Sequence, residues 1–413
     1  MLRMKGFTTK VLHTRYPKKD VHGALRPPLY DSVAFEFENA SAIQQAFEGK
    51  LPAHTYSRIS NPTVEDFETK MRALCDARGV IAVSSGMAAI TNVMLALCSA
   101  GSNIVSSRHL FGNTVSLFEK TLGDWGLEVR YADMNNPGSI ESMIDEHTRA
   151  VYLESITNPQ LEVADIAMVS RCAEKAGVPL VLDGTLTTPY LFRSRDYNVA
   201  VEVISTTKYI SGGATGVGGV IIDNGLFDWS ASAKISPFID RYGPFAFLAK
   251  LRREVFRNCG SCMAPHHAWM NTLGLETLAL RIRQSCDNAR EIARFLAEQP
   301  KVKAVNYPGL PESGSHAIAA AQFKKGYGGL LAFELENKDQ CFRFIDSLGI
   351  IRNATNLNDN KSLIIHPAST IFGEYSDEER HGMDISDNML RLSVGIEDRE
   401  DLLDDLQKGL ENI

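Results

Sequence analysis

Short apolar runs alternate with helical patterns between residues 60 and 210, and this alternation constrains the fold more than any other feature. A strand without a polar face is buried on both sides, as in a parallel sheet that helices cover. Helical patterns begin at Pro62, continue through Met94 and recur from Ile166 to Ala176. The predicted strands are 80–83, 104–105, 129–131, 150–153, 180–182 and 201–204. The sequence therefore predicts an α/β fold with a mostly parallel central sheet.

The pattern changes beyond about residue 250. A long helical pattern covers 277–299, a strand-like run follows at 330–333, and leucines from Leu402 to Leu410 predict a final helix. These features predict a smaller C-terminal α+β domain, whereas residues 1–60 lack periodic runs and look irregular. We therefore predict an N-terminal arm at 1–60, a larger domain at 61–255 and the smaller domain at 256–413.

The charge balance and the distribution of apolar residues exclude several classes of partner. The 43 Lys and Arg against 50 Asp and Glu give a net charge of −7, which provides no attraction to nucleic acid or an anionic membrane. The longest apolar stretch, 80–100, is interrupted by polar residues and is unsuited to a transmembrane helix. No apolar run follows the first basic residues, as a signal peptide would require. We expect a cytoplasmic protein with neither nucleic-acid nor membrane partners.

The seven cysteines are scattered and odd in number, which favours reduced thiols over a disulfide framework. Cys259 and Cys262 have the CxxC spacing of metal and redox sites, but no second pair accompanies them. We predict buried or incidental thiols at these positions, and no metal site.

Polar residues follow three of the predicted strands. Residues 84–87 open a helix, Asp183 ends the fifth strand, and residues 205–208 follow the sixth. The carboxyl ends of parallel strands share one edge of a sheet, where ligands bind. Each signal alone is typical of a helix cap or a surface residue, and neither the dinucleotide nor the P-loop fingerprint occurs. These polar residues therefore indicate a function only when the three strand ends are considered together.

Together these residues match the needs of pyridoxal 5′-phosphate (PLP). This cofactor requires a lysine for a Schiff base, an acid facing its pyridine nitrogen, and donors for its phosphate. Lys208 can be the lysine, and Asp183 can be the acid that keeps the ring nitrogen protonated. The candidate phosphate donors are Gly86, Met87, Ser205 and Thr207.

The chain also resembles a known family at five separated motifs, YSRISNPT (56–63), SSGMAAI (84–90), STTKY (205–209), HPAS (366–369) and RLSVGIED (391–398). From about residue 6 to the end, their order and spacing are similar to the cysteine/methionine-metabolism family of PLP enzymes. The resemblance implies PLP fold type I, the aspartate-aminotransferase-like architecture, with the cofactor in the domain at 61–255. It also implies a homotetramer of catalytic dimers, in which the arm at 1–60 contributes to the neighbouring subunit's site.

The resemblance implies a role for each residue that matches the family's pattern. Lys208 would be the Schiff-base lysine and proton shuttle, and Asp183 would pair with the pyridine nitrogen, with Thr185 nearby. Asn158 would contact the hydroxyl group of the cofactor ring. Arg391 would bind the α-carboxylate of an amino-acid substrate.

Three further positions concern the phosphate and the ring. Tyr56 and Arg58 would reach the phosphate of the neighbouring subunit, Arg58 through a charge-assisted contact. Phe111 stands where the family usually has a tyrosine that stacks on the ring and assists proton transfer to the leaving group. Phenylalanine keeps the stacking and loses the hydroxyl. A thiolate leaving group would suffer most, because acetate is a weaker base and departs with little acid help.

Two sets of segments point to different members of the family. Residues 6–7 and 23–28 are similar to methionine γ-lyases, whereas 354–357 and 360–370 are similar to O-acetylhomoserine sulfhydrylases. The resemblance implies that the second set of segments lines the site for the substrate carboxylate. Within this set, Asn356 stands where lyases commonly have serine. Asn113 follows Gly112, so the place of the lyases' usual active-site cysteine is unfilled. These features favour γ-replacement on O-acetyl-L-homoserine by a sulfur nucleophile, giving homocysteine and acetate.

Several alternatives stay open. Methionine γ-lyase and cystathionine γ-synthase belong to the same family, and Tyr56 or a water could supply the acid that Phe111 lacks. A PLP-binding protein without turnover is a third alternative. The sulfur donor can be sulfide, a thiol or a sulfur-carrier protein, and the preference for an acetyl over a succinyl ester is open as well.

Overall fold

Seven strands form the larger sheet of the computed structural model, which describes residues 4–14, 16 and 20–413. They are β1 Gly79–Val83, β2 Asn103–Ser106, β3 Glu128–Tyr131, β4 Thr148–Glu154, β5 Leu180–Asp183, β6 Val201–Ser205 and β7 Gly219–Asp223. Their order is β1-β7-β6-β5-β4-β2-β3, and only β7 runs antiparallel to its neighbours. The predicted mostly parallel sheet and its six predicted strands are confirmed. The sequence did not predict β7, because glycines crowd the segment before it.

Seventeen α-helices accompany the strands in the described residues. They are α1 Phe7–His13, α2 Ala40–Glu48, α3 Pro62–Cys75, α4 Gly86–Leu97, α5 Gly112–Ser116, α6 Leu122–Asp124, α7 Pro137–Met143, α8 Ile166–Lys175, α9 Thr188–Leu191, α10 Ile239–Tyr242, α11 Ala246–Lys250, α12 Phe256–Cys259, α13 Pro265–Ala297, α14 His316–Gln322, α15 Lys338–Ser347, α16 Asp377–Gly382 and α17 Arg399–Glu411. Helices cover both faces of the larger sheet: α4 packs on one face, and α3 and α8 pack on the other.

Local chemistry fixes the starts of the two helices that lead into the site. At α3 the Asn61 side chain accepts a hydrogen bond from the Thr63 amide at 2.9 Å, and Pro62 occupies the first turn. At α4 the Ser85 hydroxyl accepts from the Ala88 amide at 3.0 Å. The predicted helix start at Pro62 is therefore confirmed.

The predicted arm contains two helices, which corrects the expectation that residues 1–60 are irregular. Residues 1–3, 15 and 17–19 of this arm lie outside the described residues. Helix α1 buries Val11 beside Phe67 and Met71 of α3. Helix α2 leaves every residue at least partly exposed, with Phe47 58% exposed. Both helices are short and flanked by turn residues, so their periodicity was too brief to recognise.

A smaller sheet follows in the C-terminal part of the chain. Its strands are β8 Ala304–Asn306, β9 Leu330–Glu334, β10 Arg352–Asn353, β11 Leu363–Ile365 and β12 Met389–Ser393, in the order β10-β11-β12-β9-β8. Helices α15 and α17 pack against it through Phe344, Leu402 and Leu406. This confirms the strand predicted at 330–333 and the final helix.

Helix α13 begins at Pro265, well before the predicted start at 277. The early part was missed because Gly274 interrupts the pattern. That glycine lies against the main chain, and a Cβ atom there would be 2.0 Å from the Ile210 carbonyl oxygen. Leu275 and Leu278 pack beside the larger sheet, while Ile292 and Leu296 pack beside the smaller one. A domain boundary at 255 stays a prediction. In the described part of the chain, no helix is both long and apolar enough to cross a membrane.

Candidate active site at the carboxyl ends of the strands

Strands β4, β5 and β6 bring their carboxyl ends to the same edge of the larger sheet. Glu154, the last residue of β4, is the register partner of Asp183, the last residue of β5. Strand β6 ends at Ser205, and the chain then turns to Lys208. The sheet therefore places the predicted acid and the predicted lysine on neighbouring strand ends.

Asp183 is held from one side by Thr185. The Thr185 amide donates to Asp183 Oδ1 at 2.8 Å, and the Thr185 hydroxyl oxygen accepts from the Ser205 amide at 2.9 Å. Burial raises the pKa of Asp183, and the hydrogen bonds from Thr185 oppose that rise. Among the ion pairs of the described residues, none includes Asp183. A buried carboxylate of this kind is suited to pairing with a protonated ring nitrogen of a ligand.

Lys208 is oriented by a side chain from the C-terminal part of the chain. Its Nζ donates to Asn356 Oδ1 at 2.9 Å, and Asn356 Nδ2 donates to Asp359 Oδ2 at 3.4 Å. Burial and the nearby charge of Arg391 lower the pKa of Lys208 to about 8. The amine thus loses its proton more readily than an exposed lysine, as a nucleophile and base requires.

Arg391 lies on β12 and is almost completely buried, with 1% of its surface exposed. Its guanidinium donates to Asn158 Oδ1 at 3.2 Å and to the carbonyl oxygens of Thr355 and Asn356 at 3.0 Å each. Its Nε finds no acceptor among the described residues, and burial lowers its pKa to about 9. All its partners are neutral, so the site suits an anionic group of a ligand.

The first turn of α4 meets the end of β6 and forms the predicted phosphate cradle. A Cβ atom on Gly86 would lie 2.6 Å from Ser205 Cβ, so only glycine permits this approach. Met87 follows in the same turn, where main-chain N–H groups and the helix dipole favour an anion. The Thr207 hydroxyl bridges to Gly218, accepting from its amide at 3.0 Å and donating to its carbonyl at 3.3 Å.

Phe111 and Asn158 are both fixed next to the strand ends. The Phe111 amide donates to Glu154 Oε1 at 2.7 Å. The Oδ1 atom of Asn158 accepts a hydrogen bond from Arg391. The side-chain NH₂ group of Asn158 can therefore donate to a ligand oxygen. Sequence reasoning missed Glu154, although the signal was available: like Asp183, it is an acid that directly follows an apolar strand.

Tyr56 and Arg58 are not brought into this cluster within a single chain. Both are exposed, Arg58 stacks on the Tyr56 ring at 5.5 Å, and its guanidinium donates to the Arg257 carbonyl at 2.6 Å. No hydrogen bond of the described residues joins either one to Gly86 or Ser205. Their predicted contact with a neighbouring subunit stays a prediction.

The cluster fits PLP and an amino-acid substrate by charge. Asp183 and Lys208 are partly buried and Arg391 is buried, and in the described part of the chain none of the three has an ion-pair partner. PLP offers a pyridine nitrogen to the first, an aldehyde carbon to the second and a phosphate to the α4 cradle. The carboxylate of a substrate would complete the set at Arg391.

The other predicted chemistry concerns cysteines and metals. All seven cysteines are free thiols, with Cys259 exposed and Cys262 partly buried. Within residues 4–14, 16 and 20–413, no group of three or more His, Cys, Asp or Glu side chains is arranged to hold a metal ion. The function of Cys259 and Cys262 is not explained by these contacts.

Comparison with known proteins gives consistent results along the whole chain. Residues 8–411 match the family described as Cys/Met metabolism PLP-dependent enzyme. The chain is 35% identical to L-methionine gamma-lyase of Pseudomonas putida over 410 residues, which is 99% of this chain and 98% of that protein.

Two solved structures share the fold. O-acetylhomoserine sulfhydrylase of Wolinella succinogenes is 43% identical, with a TM-score of 0.80 over 98% of this chain and 100% of that one. A putative O-acetylhomoserine (thiol)-lyase of Campylobacter jejuni, which carries a pyridoxyl-lysine monophosphate, is 33% identical, with a TM-score of 0.93 over the same shares.

Proposed function

Because the chain belongs to the Cys/Met metabolism family of PLP-dependent enzymes, we propose that it replaces the γ-substituent of O-acetyl-L-homoserine with a sulfur nucleophile. The products are homocysteine and acetate. The cofactor is PLP, and the fold is that of fold-type I enzymes. The family also includes lyases, so the choice of reaction rests on the residues of this chain.

The contact between Lys208 and Asn356 carries the proposal. Asn356 is the position at which the sulfhydrylase pattern differs from the serine of lyases, and its Oδ1 lies 2.9 Å from Lys208 Nζ. The residue that distinguishes the two patterns therefore touches the proposed base directly. Asp359 accepts from the amide nitrogen, so the amide oxygen is the atom that faces Lys208.

Each side chain has one task in this reaction. PLP, when bound, withdraws electrons from the α carbon of the substrate and so acidifies the α proton. Lys208 Nζ would take that proton, pass it on to the bound cofactor and, once free again, take a β proton, while Arg391 would hold the α-carboxylate. Asp183 keeps the proton on the pyridine nitrogen, and Phe111 packs over the ring.

The leaving group decides between ester and thioether substrates. Phe111 has no hydroxyl to donate, so the departing group receives no proton from this position. Acetate leaves as a stable anion, whereas a thiolate needs acid help. Sulfide or another sulfur nucleophile then forms the new Cγ–S bond, and the return of one proton to the β carbon and one to the α carbon completes the replacement.

The neighbouring subunit completes the proposed site. Tyr56 and Arg58 are exposed on the arm, and α2 presents Ile43 and Phe47 to the surface. This unpaired apolar face supports the proposal that the arm packs on a second copy and places Tyr56 and Arg58 at its phosphate. We propose a homotetramer located in the cytoplasm.

Methionine γ-lyase is the second candidate, supported by the 35% identity to a lyase of that name. For this reaction Tyr56 of a neighbouring subunit or a water would have to supply the acid that Phe111 lacks. Cystathionine γ-synthase would use the same ester chemistry with a different nucleophile, cysteine.

Product analysis separates the candidates. PLP-loaded enzyme is incubated with O-acetyl-L-homoserine with and without sulfide, and with methionine alone, and homocysteine and 2-oxobutyrate are quantified. We expect sulfide-dependent homocysteine and little product from methionine. Rapid 2-oxobutyrate formation from methionine would overturn the proposal in favour of the lyase. Bound cofactor without any turnover would identify a non-catalytic member of the family.

A further inference from the structure

Glu154 is a buried acid next to the cofactor site that the proposed reaction does not use. It ends β4, only 7% of its surface is exposed, and it lies beside Asp183 across the parallel pair of strands. No ion pair of the described residues includes it. An acid kept in such a place without a cation needs a reason, because its burial is unfavourable.

The Glu154 carboxyl group accepts a hydrogen bond from the main chain of a segment distant in the sequence. The Phe111 amide donates to its Oε1 at 2.7 Å. Phe111 directly precedes α5, whereas Glu154 ends β4. One side chain therefore ties the segment that carries a proposed cofactor contact to the strand end beside Asp183.

Phe111 is proposed to stack on the face of the cofactor ring. A shift of its segment by a few tenths of an ångström would misalign the side chain. We propose that Glu154 is a positioning residue, which holds the main chain of Phe111 so that its side chain meets PLP. This inference rests on the cofactor placement proposed above.

The charge of Glu154 follows from its neighbours. Burial and the adjacent Asp183 carboxylate raise the pKa of Glu154 well above its usual range, and hydrogen bonding from the main chain only partly opposes this rise. Two carboxylates this close are not both ionised at low cost. The pyridine nitrogen would stabilise the charge on Asp183, so Glu154 holds the proton. A neutral amide can then replace it.

The test compares three variants by their affinity for PLP and by the visible circular dichroism of the bound cofactor. In Glu154→Ala the Phe111 amide loses its acceptor, and we expect the Kd for PLP to rise about 10-fold and the visible dichroism per bound cofactor to fall. Glu154→Gln keeps an acceptor oxygen and should stay within about 3-fold of the wild type. Glu162→Gln is the control, since Glu162 lines the same cavity of about 460 Å³ but is half-exposed and pairs with His109.

Each outcome decides the inference. Wild-type affinity and dichroism in Glu154→Ala would overturn it. If the dichroism of Glu154→Gln falls to the level of the alanine variant, Glu154 does not act as a neutral, protonated acceptor. That result would overturn the proposed positioning role. A purely structural role would lower the unfolding temperature of apoenzyme and holoenzyme alike and leave the dichroism per bound cofactor unchanged. If Glu154→Ala does not fold, the glutamine variant alone decides.

Two more variants separate this inference from the proposed cofactor placement. Phe111→Leu and Asn158→Ala should each change the visible dichroism. If they do so while Glu154→Ala does not, the placement stands and the role of Glu154 is wrong. If neither changes it, the placement is wrong, and the inference about Glu154 fails with it.

Discussion

Within a single chain, the cluster of Asp183, Lys208 and Arg391 is assembled, whereas the candidate residues on the N-terminal arm at 1–60 are not brought to it. Arg391 is buried and Asp183 and Lys208 are partly buried; all three are oriented by named partners, and burial shifts their pKa values. Tyr56 and Arg58 are exposed, and the hydrogen bond of Arg58 within the described residues goes to a main-chain carbonyl. Groups at strand ends are thus placed by the fold of a single chain, whereas the role proposed for the arm requires a second subunit.

The comparison predicts its largest effect at Lys208. Lys208→Ala removes the amine that the cluster encloses, and we expect activity to fall about 1,000-fold or more. The visible absorbance of enzyme-bound cofactor should also change to that of free PLP. Lys408→Ala, at an exposed lysine on α17, is the control. Retention of the wild-type absorbance in Lys208→Ala would contradict the assignment of Lys208.

The next effect is expected at Arg391. Arg391→Leu leaves the substrate carboxylate without its buried charged donor, which lowers kcat/KM for O-acetyl-L-homoserine by about 10- to 100-fold. The effect should fall mainly on KM, and cofactor affinity should change little. Steady-state kinetics measure the first quantity and PLP titration the second. A large loss of PLP with unchanged KM would place Arg391 at the cofactor instead.

A mixing experiment can test whether Arg58 on the arm serves the site of a neighbouring chain. Arg58→Ala should weaken PLP binding about 10-fold through the lost charge-assisted contact. When Arg58→Ala and Lys208→Ala chains are unfolded and refolded together, a shared dimer has one site with both wild-type residues, and activity should recover. Homogeneous refolding of each variant is the control. No recovery in the mixture would mean that Arg58 serves its own chain.

The smallest effect concerns a buried acid behind the cluster. Glu202 accepts from the Ser194 hydroxyl at 2.5 Å, and burial, with a smaller contribution from Asp183, raises its pKa to about 8. The folded state therefore holds this proton more tightly than the unfolded state. The stability from Glu202 is complete below its ordinary pKa of about 4.3 and is lost as the pH rises to about 8.

Glu202→Gln removes that dependence. Between pH 6 and pH 9 we expect the unfolding temperature of the wild type to fall by roughly 1–4 °C more than that of the variant. Scanning calorimetry of both proteins measures the difference. Parallel curves would show that Glu202 does not titrate in this range. An arm variant such as Glu38→Gln should leave the pH dependence unchanged, because Glu38 is solvated.

The sequence predicted the cluster better than the arm for a physical reason. A buried strand leaves a continuous apolar run, so the polar residue that ends it, such as Asp183, is visible in the sequence. Glu154 carried the same signal but matched no motif, and its role depends on where Phe111 packs. The helices α1 and α2 were missed because a short helix has a weak period. The proposed partner of Arg58 lies on a second subunit, which no local sequence pattern describes.

Helix α13 ties the two halves of the site into one mechanical unit. Its 33 residues form a rod of about 50 Å that is anchored beside both sheets. At Gly274 this rod touches the main chain of Ile210, two residues beyond Lys208. A hinge rotation of the smaller sheet would have to bend the rod or drag Lys208 with it. Arg391 and Lys208 are thereby mechanically coupled, and we expect a substrate to gain access through movements of loops more than through a rotation of one sheet against the other.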